Sequence, residues 1–123
     1  VARLNRRPVA VVLVLVSALT LAGCGRDGLG EARQACELVN QGIALIQKSQ
    51  APAVTTVESE HLLRQARSAF LRGVGHAARA TSANGRWNAL MTTLQLSRHG
   101  SVTTVVPTLT RQCKSILSDD YLY

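Results

Sequence analysis

TTVESEHLLRQARSAFLRGVGHAARA, residues 55–80, is a long stretch with one dominant periodicity. Leu62, Leu63, Ala66, Ala69, Phe70, Gly73, Val74, Ala77 and Ala80 fall on one face when read at helical spacing. Thr55 and Glu58 stand three apart at its start, the pattern of a capping box. The apolar face is built mostly from small residues, which let a neighbouring helix approach closely. A helix of this kind needs partners, and the flanking sequence supplies them.

Upstream, Ala32, Ala35, Val39, Ile43 and Ile46 form a second stripe, with Glu37, Asn40, Gln41, Gln47 and Lys48 opposite. The spacing predicts a helix from Glu31 to about Gln50, because Pro52 disfavours helix at Ala51. Downstream, Asn84-Gly85 signals a turn. Trp87, Leu90, Met91 and Leu94 then make a third stripe that stops around His99-Gly100. Val102, Val105, Val106, Leu109, Cys113, Ile116 and Leu117 make a fourth. Pro107 either kinks this last helix or marks its start, in which case SVTTVV is extended. Four amphipathic segments joined by short connections predict an all-α domain over 31–123, a small four-helix up-down bundle. Aromatic residues are scarce (Phe70, Trp87, Tyr121 and Tyr123), so the expected core is aliphatic.

The first quarter of the chain has a different character. VARLNRRP carries Arg3, Arg6 and Arg7 without an acid, VAVVLVLV is wholly apolar, and Ser17 to Gly23 is small or apolar. That order of charge, apolar run and small residues is the order of a secretory signal peptide. From Val9 to Gly23 it would span about 22 Å as a helix, too short for a hydrocarbon core of about 30 Å. Leu21-Ala22-Gly23-Cys24 closes it and resembles the lipobox of bacterial lipoproteins. The resemblance implies a diacylglycerol on the Cys24 thiol and cleavage before it. The signal peptide is then residues 1–23, with a lipidated cysteine and flexible tether over 24–30. It also implies a cell-membrane location, lipid-anchored on the extracytoplasmic face. Arginine outnumbers lysine twelve to two, the bias of a GC-rich genome, and an opening Val is how an untranslated alternative start codon is written. Both point to an actinobacterial source.

Without Arg3, Arg6 and Arg7, 11 basic residues face 7 acidic ones, so the net charge falls from +7 to +4. With Cys24 assigned to lipid, Cys36 and Cys113 remain as an even pair in an exported domain, where such pairs oxidise. They sit on or beside the apolar stripes of the first and last helices, so a structural disulfide is expected. No C-x-x-C is present to make it a redox centre.

Catalytic motifs do not emerge. Glu58-Ser59-Glu60-His61 holds a single E-x-x-H, whereas a di-iron bundle needs two plus further inward glutamates. His61 projects with the arginines, and His76 and His99 have no acidic neighbour at ligand spacing. No G-x-S-x-G, S-x-x-K or H-E-x-x-H occurs. Gly25, Gly28 and Gly30 follow no strand, and Asp119-Asp120 stands isolated. The expectation is a protein that is not an enzyme, with no metal and no cofactor.

Charge is the remaining signal. Arg64, Arg67, Arg72 and Arg79, with His61 and His76, occupy the side of the second helix opposite its apolar stripe. A solvated face produces such a pattern, and so does a surface for an anionic partner: a lipid headgroup, a wall polymer or an acidic protein. Export excludes nucleic acid. An alternative is a small apolar ligand, a lipid tail or porphyrin, held in a slot beside Gly73 and lined by Leu62, Phe70, Trp87 and Met91.

Overall fold

A computed structural model describes residues 27–118. Residues 1–23, Cys24 with the rest of its motif, Gly25, Arg26 and the Asp119-Asp120 pair lie outside the described residues. Within them the chain is all-helical, with four α-helices: α1 (Leu29–Ser49), α2 (Thr56–Ala83), α3 (Asn88–Leu96) and α4 (Val106–Leu117). Short 3-10 segments, Gly85–Trp87 and Val102–Val105, lead into α3 and α4. Among the described residues no helix is long and apolar enough to cross a membrane.

The helix boundaries follow local chemistry, and three of them correct the sequence reading. Thr55 and Glu58 form both halves of the capping box: Glu58 N–H donates to Thr55 Oγ1 at 3.2 Å and Thr55 N–H donates to the Glu58 carboxylate at 3.4 Å. By contrast α1 begins at Leu29, two residues before the predicted start. Asp27 Oδ1 accepts from Leu29 N–H at 3.0 Å, and Gly28 turns the chain with φ 76°. A Cβ on Gly28 would stand 2.6 Å from the Ala80 carbonyl, so the chain passes where only glycine fits. Residues 27–30, expected as flexible tether, are therefore docked, with Gly28 and Leu29 buried.

The other two differences lie in the second half. α3 ends at Leu96 rather than near His99, and the chain turns at Gly100 with φ 69°. Pro107 stands in the first turn of α4, where its missing N–H costs nothing, so it marks the helix start and no kink forms. The preceding residues are 3-10 helix rather than extended. Val102 and Val105, both buried, are three apart, and a three-residue turn puts both on the core side.

Neighbouring helices run antiparallel around a ring. Along α1 and α2, Gly28 meets Ala80, Ala35 meets Gly73, and Gly42 meets Ala66 and Phe70. Gly73 also faces Leu94 of α3, while Arg67 reaches Gly100 just beyond that helix. Thr93 of α3 faces Gln112 of α4. Cys36 and Cys113 close the ring as a disulfide between α1 and α4, with Cα atoms 5.3 Å apart and a sequence separation of 77. Val39, Phe70, Leu94 and Leu109 lie fully buried in this core. The lengths differ: α2 has 28 residues and α3 only 9, about 42 Å against about 14 Å. The first turns of α2 accordingly extend past α3, leaving Leu62 and Leu63 half-buried and Val57 75% exposed.

Candidate functional site

The basic side of α2 divides into two groups with different surroundings. Arg64 and Arg72 are exposed and form no ion pair among the described residues. Arg67 is half-buried, and its Nη2 donates to the Gly100 carbonyl at 2.7 Å. That bond holds the α3–α4 connection against α2 without neutralising the guanidinium. Arg64 and Arg67 flank Leu63 on a shared depression of the surface with Glu60.

Arg79 is engaged differently. Its Nε donates to Glu31 Oε1 at 3.1 Å, and His76 Nδ1 lies 2.6 Å from Glu31 Oε2. Arg79 Nη2 also comes within 2.9 Å of His76 Nδ1. A single ring nitrogen cannot serve both neighbours: protonated, it donates to Glu31, and unprotonated, it accepts from Arg79. Glu31 is thus the counter-charge for this end of the basic side. The sequence reading found no acid at ligand spacing from His76 because its partner stands on α1, 45 residues away.

The Glu31 carboxyl is held below its ordinary value of 4.5. The hydrogen bond from His76 is the main cause; partial burial opposes it, and the Arg79 hydrogen bond and the two positive charges add to the lowering. A depressed carboxylate pKa stabilises the fold above the unfolded value, and this contribution disappears as pH falls through the folded one. Glu31→Gln is therefore expected to be less stable than the parent at neutral pH. The gap should narrow as pH falls below the ordinary value of 4.5 and close once it has passed the lowered folded one. Urea melts at neutral and acidic pH check this; a gap unchanged in acid would mean that the Glu31 charge is not responsible.

The other candidates do not assemble into a centre. Glu58 is occupied at the helix cap, and the exposed His61 meets Gln65 Nε2 at 3.1 Å. Among the described residues no group of three or more His, Cys, Asp or Glu is placed to hold a metal ion. The space expected beside Gly73 is taken by Leu94, whose methyl carbons would lie 3.5 and 3.6 Å from an added Cβ. Phe70 and Trp87 are buried, whereas Leu62 and Met91 are half-buried.

Two arginines outside the basic side act structurally, and no periodicity marks them. Arg33 of α1 donates from Nε to the Ile116 carbonyl at 3.2 Å and from Nη2 to that of Ser118 at 3.5 Å. It satisfies carbonyls that end α4, where a cation also suits the helix dipole. Arg86 stacks over the Trp87 ring, 4.4 Å from its centroid, and stands 3.6 Å from the Asp27 carboxylate. Trp87 Nε1 donates to the Asp27 carbonyl at 2.6 Å, so this corner ties the start of α1 to the turn after α2. No family model matches the chain, and no curated protein or solved structure is significantly similar to it.

Proposed function

We propose that the chain is a non-enzymatic envelope lipoprotein, anchored by lipid on Cys24 at the extracytoplasmic face of the cell membrane, that binds or scaffolds an anionic envelope component. The lipobox-like Leu21-Ala22-Gly23-Cys24 supports the anchor, and two acyl chains or more on one cysteine suffice for stable attachment. The disulfide between α1 and α4 accords with an oxidising compartment. In this reading residues 1–23 are removed and the four-helix domain follows Cys24 after a connection of only Gly25 and Arg26.

The observation that carries the binding role is the uneven neutralisation of α2. Arg64, Arg67 and Arg72 form no ion pair with a described carboxylate, while Arg79 is paired with Glu31. The contact surface is accordingly Arg64, Arg67 and Arg72, with Arg79 outside it. Each arginine near an anionic bilayer contributes about 1 kcal/mol, so replacing the three by glutamine should weaken binding roughly a hundredfold. Arg79→Gln should change it little. Co-sedimentation of a non-lipidated form with anionic vesicles and with anionic wall polymer tests both statements. Equal binding by the parent and the triple variant would remove this role.

A further inference from the structure

We propose that His76 is a pH-operated switch that adds positive charge to the anion-binding side of α2 when its imidazole is protonated. This regulation presupposes the anion-binding role proposed above. Three groups from two helices meet at the switch: Glu31 of α1, and His76 and Arg79 of α2. His76 Nδ1 lies 2.6 Å from Glu31 Oε2 and 2.9 Å from Arg79 Nη2, while Arg79 Nε donates to Glu31 Oε1 at 3.1 Å. Neither protonation state of Nδ1 satisfies both of its neighbours. Without a proton it accepts from Arg79 and sets a lone pair against a carboxylate oxygen. With one it donates to Glu31 and sets its N–H against that of a guanidinium. The imidazolium carries protons on both nitrogens, so only the second arrangement is open to it.

Charge follows the proton. With His76 neutral, Glu31 and Arg79 cancel; with His76 protonated, the cluster holds one net positive charge and Arg79 Nη2 is driven from Nδ1. Arg79 is 58% exposed, so its guanidinium has solvent to turn into. Arg72, also exposed, stands one turn before His76 on the same side of α2. At neutral pH Arg79 therefore stays outside the contact surface, and in acid it joins Arg72. The Glu31 carboxyl, held below its ordinary value, keeps its charge while imidazoles titrate, between about pH 5 and 8. Among the described residues α3 and α4 bring no cation within ion-pair distance of Glu31, and no other acid pairs with His76. The remaining charges of α1 are placed elsewhere. Asp27 stands beside Arg86, Arg33 reaches the carbonyls that end α4, and Glu37 and Lys48 are exposed and form no ion pair among the described residues.

The test measures binding of the full chain to dextran sulfate, a soluble polyanion of constant charge, at about pH 8 and about pH 5.5. The parent should bind roughly fivefold more tightly at the lower pH, the effect of one added charge near an anionic surface. His76→Gln should lose that gain, and His61→Gln/His99→Gln should keep it. Glu31→Gln should bind at the higher pH as tightly as the parent does in acid. No gain in the parent, or the same gain in His76→Gln, would overturn the switch and leave the anion-binding role standing. Binding kept in full by Arg64→Gln/Arg67→Gln/Arg72→Gln would overturn that role instead. The switch is then decided without polyanion, by nuclear magnetic resonance of the Arg79 Nε–H. That signal should move with pH in the parent and stay fixed in His76→Gln; movement in both, or in neither, overturns the switch.

Discussion

A C36A/C113A variant is expected to lose about 4.5 kcal/mol of stability, the loop-closure entropy that a bridge across 77 residues removes from the unfolded chain. Domains of this size are stable by roughly 5–15 kcal/mol, so the loss is a large share of the total. The bridge also joins the first and last helices of the ring, which the Arg33 bonds to the Ile116 and Ser118 carbonyls hold together at one end. α4 is 12 residues long and is reached from α1 only through the whole of α2 and α3. Both sulfurs are buried, which protects them from external thiols until the fold opens. Guanidinium melts of the parent, the variant and the parent unfolded with reductant check the prediction. The reduced parent should coincide with the double variant to within the small cost of the two lost sulfur atoms. Coincident melts of all three would show that the cysteines are not bridged.

The second large effect concerns Phe70 and Gly42. Phe70 is fully buried, and its ring fills the space that a side chain at position 42 would occupy. Phe70→Ala should cost about 3–5 kcal/mol through lost apolar burial and the cavity left behind. Gly42→Ala should cost about 1–3 kcal/mol for the opposite reason, overpacking. Its Cβ would come within 2.7 Å of Phe70 Cδ1 and 3.2 Å of the Ala66 carbonyl, and neither can yield without moving α1 away from α2. The coupling is the informative part. In the double variant the methyl group added at position 42 enters space vacated by the ring, so the combined loss should be smaller than the sum. Additive losses in chemical melts would mean that the two positions do not share one packing site.

How much of this was legible in advance varies by element. α2 was readable almost to the residue, because capping and periodicity are both local: Thr55 and Glu58 are three residues apart, and so are Ala66 and Ala69. The α1 stripe was read from Ala32, Ala35, Val39, Ile43 and Ile46, of which all but the half-buried Ile43 are buried. Gly42 was missed because glycine carries no apolar side chain to count, yet its bareness is what admits Phe70. The disulfide was predictable from parity and placement on two apolar faces. The docked start at Asp27, Gly28 and Leu29 was not, since its causes are Ala80 and Trp87, more than 50 residues away.

The basic side shows the same division. Its four arginines could be placed on one helix by spacing alone, and a sequence read by itself treats them as equivalent. They are not equivalent in space. Arg79 meets Glu31 across the α1–α2 contact, Arg67 is held to the Gly100 carbonyl, and Arg64 and Arg72 are exposed with no ion pair among the described residues. The amino-acid sequence alone thus determined which segments become helix and which faces turn inward, because these depend on residues within a few turns of one another; the cysteine pair followed from parity and from its placement on two such faces. Only the tertiary structure decided which arginine has a counter-charge and where glycine is obligatory, because each depends on groups brought together from distant parts of the chain.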